Sequence, residues 1–255
     1  MSSDVVTLAE RPDLSPAMWS MPNPWPEFML QDPVADLFFL RLHEVFPQHQ
    51  LLALDERGAV VGKVNCLPFA WTGLDDDLPA RGWDAVLERG FTDHACGTEV
   101  TAVSLLEARV VAEHRSSGLS PRLLTAVRHN AKRLGFSHLV GPVRPTQKSN
   151  EPRTPMADYV ARLRPDGLPV DPWLRTHMRL GARIVKVCPI SMTVTGTLAQ
   201  WRQWTGLPFA PSGAVEVAGA LSPVHVSVEH DHEVYVEPNV WVHHSLDSDD
   251  RLPLQ

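Results

Sequence analysis

Apolar positions recur along this chain in two rhythms. Residues 118–134 carry Leu123, Leu124, Val127, Ala131 and Leu134 on one face at helical spacing, and Gly135 ends the run. Alternating or continuous apolar runs predict strands over Gln50–Asp55 and Ala59–Leu67, joined by the turn signal Asp55-Glu-Arg-Gly58. Further strands are predicted over Thr98–Val111 and His138–Val143, and over Ala182–Val187 and Ile190–Thr195 with an interruption at Pro189. Val215–Ala220, Val224–Val228 and Glu233–Val242 read as closing strands. Short helices are predicted over Asp36–Val45, with Leu37, Phe38 and Leu40 on the apolar side, over Trp83–Phe91, and over Pro172–Leu180 before Gly181.

This order predicts an α/β fold, a mixed sheet with helices on both faces. Thr98 to Val143 should form a right-handed parallel crossover. Residues 1–33, rich in Pro and Trp, read as an irregular lead-in whose aromatics pack on the body or cover a pocket. Residues 34–245 read as one domain, with a Pro-rich insertion at about 144–171, and 246–255 as a flexible tail.

The most chemically pointed stretch is Val110-Val-Ala-Glu-His-Arg-Ser-Ser-Gly-Leu-Ser120. A strand runs into a small turn and then directly into a helix with Pro121 in its first turn, where a missing N–H costs nothing. Unpaired amides at a positive helix end suit a phosphate. No G-x-x-x-x-G-K-[ST] is present, which excludes a triphosphate loop, and no G-x-G-x-x-G, which argues against a dinucleotide fold.

Composition narrows the picture. The 255 residues are 44% hydrophobic and 21% charged, ordinary for a globular protein. A net charge of −7 argues against nucleic acid as a partner. No apolar run is long enough to span a membrane, and the N-terminus has no signal-peptide pattern. Cys66, Cys96 and Cys188, odd in number and widely spaced, suggest reduced thiols and a cytoplasmic location. His225, His230, His232, His243 and His244 lack a coordinating pattern, so no metal is expected.

Arg115-Ser-Ser-Gly118-Leu-Ser120 resembles the pyrophosphate loop [QR]-x-x-G-x-[GA] of the GCN5-related N-acetyltransferase (GNAT) superfamily, with Ser120 where Gly or Ala is usual. The order of elements over roughly 34–200 resembles that family's core. The resemblance implies a centrally splayed sheet with coenzyme A in the cleft between the fourth and fifth strands. Amides of Ser116, Ser117, Gly118, Leu119 and Ser120, together with Arg115, would hold the pyrophosphate. The strand edge from Ala108 to Val110 would bind the pantetheine. The family's Tyr-x-x-x-Gly at the end of the following helix, whose Tyr protonates the departing thiolate in many members, is matched by His177-Met-Arg-Leu-Gly181, which makes His177 a candidate acid, base or hydrogen-bond donor. A carboxylate on the fourth strand often serves as base; Glu107 and Glu99 are the candidates. An ion pair with Arg109, on the same face, is the alternative for Glu107. The alternative for His177 is to cap the C-terminus of its helix or pack in the core.

The resemblance implies direct acyl transfer, with acetyl-CoA as donor, to the amine of a small molecule. Two alternatives stand beside it: a non-catalytic protein that binds coenzyme A or an acyl group, and a biosynthetic acyltransferase served by an acyl carrier protein. The last rests on residues 144–186, which hold nine basic against four acidic residues. The closing strand Val224–Val228 could pair across a homodimer.

Overall fold

The computed structural model describes residues 4–115 and 117–247. Nine strands form one sheet: β1 (Asp4–Thr7), β2 (Gln50–Leu54), β3 (Val60–Phe69), β4 (Ala102–Val110), β5 (His138–Val143), β6 (Arg183–Gly196), β7 (Gly213–Val215), β8 (Val224–Ser227) and β9 (His232–Ser245). The order is β1-β2-β3-β4-β5-β9-β8-β7, with β6 along the other edge of β9. All neighbours are antiparallel except β4 and β5. The expected mixed sheet and the parallel crossover through α5 (Leu119–Arg133) are both present.

Helix α5 lays Leu119, Leu123, Leu124, Val127 and Ala131 on one face of the sheet, against Val64, Cys66, Val103 and Leu139. The opposite face is covered by α2 (Pro33–Phe38) and α4 (Gly82–Cys96), whose Val86, Leu87 and Phe91 meet Leu67, Phe69 and Trp241. With both faces covered, nearly every residue of β3 is buried. The excursion 144–171 is structured as expected, with a short helix at Met156–Val160. Asp171 organises it, accepting from Gln147 N, Tyr159 Oη, Trp173 N and Leu174 N. Asp171 thereby also caps α7 (Pro172–Arg179).

Several local expectations are corrected. The lead-in is not wholly irregular: β1 pairs with β2, and α1 (Ser15–Trp19) follows. The helix expected over residues 36–45 breaks at Phe38, whose φ is −127°. The break turns Phe38 onto Phe91 and Phe39 onto Trp83, and leaves Leu37 and Leu40 64% and 61% exposed. β4 starts at Ala102 because α4 runs to Cys96 and the next residues leave it through a left-handed Gly97, with Thr98 N donating to Asp93 O. Only Val215 of residues 215–220 is in a strand. The capped helix Leu198–Thr205, with its Thr197/Gln200 capping box, was not anticipated. β8 is no free edge, since β7 and β9 flank it, so the argument for dimer pairing there lapses. Chain packing continues to Leu246, which is buried and donates to Ser137 O; residues 248–255 lie outside the described part.

Candidate active site

β4 and β5 pair only from Ala102↔His138 to Ser104↔Val140. Beyond that β4 continues for six residues and β5 for three, and the two strands part. The register with β3 slips between Asn65↔Glu107 and Cys66↔Leu105, making Leu106 the extra residue of a bulge. Its carbonyl accepts from Trp83 Nε1 at 3.0 Å. The splay opens a cavity of about 890 Å³ that runs from Arg115 and Ser120 to the N-terminal segment.

At one end stands the N-terminus of α5. Gly118 adopts φ +79°, and among the described residues no side chain caps the helix. An added Cβ at Gly118 would meet nothing within 4 Å. Fifteen residues of aligned peptide dipoles thus end on open amides, the arrangement an anion needs. Ala108 is exposed at the edge of β4 and Val110 half-exposed, and both line the cavity with Arg115 and Ser120. These residues fit a pyrophosphate and an extended amide chain. Ser116 lies outside the described residues.

Lys63 and Asn65 on β3 stand opposite Arg109 and Glu107 on β4, so all four share the face away from α5. Glu107 is buried there. Its Oε1 accepts from Arg109 Nη2 at 2.5 Å and from Trp25 Nε1 at 3.1 Å, and Lys63 Nζ is 3.0 Å from Oε2. Burial works to raise the Glu107 carboxyl, but Lys63, Arg109 and Trp25 outweigh it and hold it below the usual glutamate range. Burial pushes the Lys63 ammonium down, against the pull of Glu107. Arg109 also donates to Met21 O, Pro22 O and Asn23 Oδ1, fixing the N-terminal segment as a roof. The expected ion pair of Glu107 with Arg109 is therefore present, and it sits inside the cavity.

His177, on α7, lines the same cavity and is buried. Its Nδ1 lies 3.0 Å from His244 Nε2, and its ring meets that of Trp173 edge-on at 4.7 Å. Burial, and then the neighbouring His244, hold its pKa well below the usual histidine value, so the ring is neutral at pH 7. That burial favours a neutral donor or acceptor over an imidazolium acid. Glu99 is corrected: it precedes β4, is exposed, and takes no part in the cavity.

Sequence reasoning missed four contributors. Trp25 and Lys63 complete the Glu107 cluster. On the far wall Arg144 Nε donates to both oxygens of Glu237 at 3.0 Å, and its guanidinium stands over the Trp25 ring at 5.1 Å. Lys63 had a signal in the sequence, a charge amid apolar strand residues; the others are joined only by the fold. Among the described residues four buried polar atoms of the cavity lining lack a geometrically sound hydrogen bond: Trp19 Nε1, Arg109 Nε, His177 Nε2, and Glu107 Oε2, which has only the Lys63 ammonium beside it. Buried groups of this kind are costly unless something else meets them.

The basic run 144–186 is largely matched within the fold. Arg144, Arg153, Arg162, Arg164 and Arg183 pair with carboxylates, and Lys148, Arg175 and Lys186 donate to backbone carbonyls. Little of it is left to greet an acidic carrier protein. Among the described residues no group of three or more His, Cys, Asp or Glu is placed to hold a metal, and no helix is long and apolar enough to cross a membrane.

No protein-family model matches the chain. Among curated proteins it is 33% identical to the arginine N-acetyltransferase avaD of Aspergillus versicolor over a 271-position alignment, which covers 94% of this chain and 93% of that one. Among solved structures it resembles the loading GNATL domain of CurA from Lyngbya majuscula, with a TM-score of 0.60 at 19% identity, covering 96% and 98% of the two chains. It also resembles the GNAT-like decarboxylase GphF in complex with isobutyryl-CoA, with a TM-score of 0.53 at 21% identity, covering 95% and 99%. At these identities the structural likeness is one of fold. With one-third identity along almost the whole of both chains, and an uncapped helix set at the mouth of a splayed sheet, this chain belongs to the GCN5-related N-acetyltransferase superfamily.

Proposed function

We propose that the protein transfers an acetyl group from acetyl-CoA directly to the amine of a small molecule, with arginine, the acceptor named for its relative, as the first to test. The observation that carries this reading is the cavity opened by the strand splay, in which Glu107 is buried beside Lys63 and Arg109, and Arg109 Nε and His177 Nε2 are buried without hydrogen-bond partners. A roof fixed by Arg109 and Trp25 suits a small acceptor rather than a protein tail.

Each residue then has a role. Arg115 and the amides of Ser117, Gly118, Leu119 and Ser120 hold the pyrophosphate, and the edge from Ala108 to Val110 holds the pantetheine. Glu107 stays ionised, and its Oε2, already 3.0 Å from the Lys63 ammonium, accepts a second hydrogen bond from the acceptor amine. With its pKa held low by two cations, it anchors the amine better than it deprotonates it. His177 is neutral. In the tautomer in which His244 donates to its Nδ1, His177 keeps its proton on Nε2 and donates a hydrogen bond to the departing sulfur. The three cysteines are unpaired, which fits a reducing cytoplasm.

A thermal-shift titration with acetyl-CoA, run on the wild type and on Gly118→Trp, tests the donor site. At 100 times its dissociation constant the ligand should add about 2.7 kcal/mol of stability. A shift in the wild type that Gly118→Trp abolishes supports the reading. Amine-dependent thiol release then tests the acceptor half.

A further inference from the structure

The wall beside Glu107 differs in character from its floor. Trp83 donates to the carbonyl of Leu106, the residue next to Glu107. Its ring meets Phe39 at 5.6 Å, and Phe39 meets Trp19 edge-on at 5.7 Å. Met29, Leu30 and Leu40 carry this apolar surface along the cavity toward the outside. There Leu30 is 40% and Leu40 61% exposed. Large apolar side chains left in water are informative where they adjoin a cavity. The broken helix produces this arrangement, because it turns Phe39 inward and leaves the leucines at the rim.

An acceptor whose amine sits on Glu107 must place the rest of its body along a wall. The charged wall is already satisfied, since Arg144 is bound to Glu237 and to Gly219 O. The apolar wall is not. We infer that the acceptor is an amine or guanidine carried on an aromatic or otherwise bulky apolar body, such as an aromatic amide of a cationic amino acid, rather than a free amino acid. The inference rests on the N-acyltransferase reading and names the substrate class of that same site. Free arginine has three methylenes and a carboxylate, and leaves Phe39, Leu30 and Leu40 uncovered.

The test compares kcat/KM for free arginine and for arginine β-naphthylamide, with acetyl-CoA as donor, by thiol release and product mass. The expected result is a preference of at least tenfold for the naphthylamide, and a smaller preference in Phe39→Ala. Equal or better use of free arginine overturns the inference and leaves the N-acyltransferase reading standing. A preference for octanoyl-CoA over acetyl-CoA, without any preference among amines, also overturns it, since the apolar wall would then serve the donor. Acetylation of neither amine, in protein shown by thermal shift to bind acetyl-CoA, overturns the N-acyltransferase reading and the inference together.

Discussion

The indole N–H of Trp25 donates to Glu107 Oε1 at 3.1 Å, joining the N-terminal segment to the central strand across 82 residues of sequence. The same ring lies under Arg144. One side chain thus ties the roof to Glu107 and Arg144.

Trp25→Phe keeps an aromatic ring for Arg144 and removes the donor to Glu107. Stability should fall by about 1.5–3 kcal/mol, the usual net worth of a hydrogen bond to a charged group. The larger effect is expected on KM for the acceptor, raised severalfold, with KM for acetyl-CoA unchanged. Steady-state kinetics with each substrate varied in turn separates the two.

Glu107→Gln leaves Lys63 and Arg109 buried without their shared anion. Removing one partner of a buried ion pair costs about 3–5 kcal/mol. Lys63→Met combined with Glu107→Gln should recover part of that loss, because the orphaned ammonium is gone. Chemical denaturation of the two single variants and the double variant gives the coupling. Additive effects would show that Lys63 and Glu107 do not act as a pair.

Gly118→Ala places a Cβ on a residue at φ +79°, where L side chains are disfavoured by about 1 kcal/mol. Nothing nearby is struck, so the fold should survive. The turn that presents the α5 amides should be strained, raising KM for acetyl-CoA about tenfold while melting changes by only a few degrees.

Stability should fall below pH 6.5. Burial holds His49 and His243 at about 4 and His244 at about 3, and His177 well below its usual value. In each case the unfolded chain binds the proton first, so the stability present above the unfolded pKa is lost as pH drops through the folded one. Asp84 has the opposite sign. Burial, and then Asp32, raise it to about 8, so its ionisation destabilises the fold as pH rises from its unfolded value toward 8. Asp84→Asn should therefore melt higher relative to wild type at pH 8 than at pH 5. Paired melting curves at the two pH values check this, and an advantage that shrinks with pH would contradict it.

The strand, loop and helix proposed to hold the donor were legible because they are local. Helical spacing from Leu123 to Leu134 and a glycine in a short turn fix them without long-range help. Glu107 was legible for a similar reason: a carboxylate amid apolar strand residues asks for a partner. Lys63 carried the same signal within Val60–Phe69 and was passed over. Trp25, Arg144 and Glu237 meet only through the fold, and no spacing in the sequence links them. Leu37 and Leu40 were misread because their periodicity suits a continuous helix, whereas packing of Phe38 and Phe39 breaks it. Glu99 was misplaced because the β-branched Thr98, Val100 and Thr101 around it continue the strand pattern, while the exit from α4 consumes those residues.

The most direct measurement of the central claim is to mix the protein with acetyl-CoA labelled in the acetyl group, with and without arginine or arginine β-naphthylamide, and follow label and free thiol together. The account predicts thiol release that depends on the amine, matched mole for mole by labelled amide, and a rate that rises with pH as the acceptor's own ammonium ionises. Thiol released equally with and without amine, and no labelled amide, would contradict it.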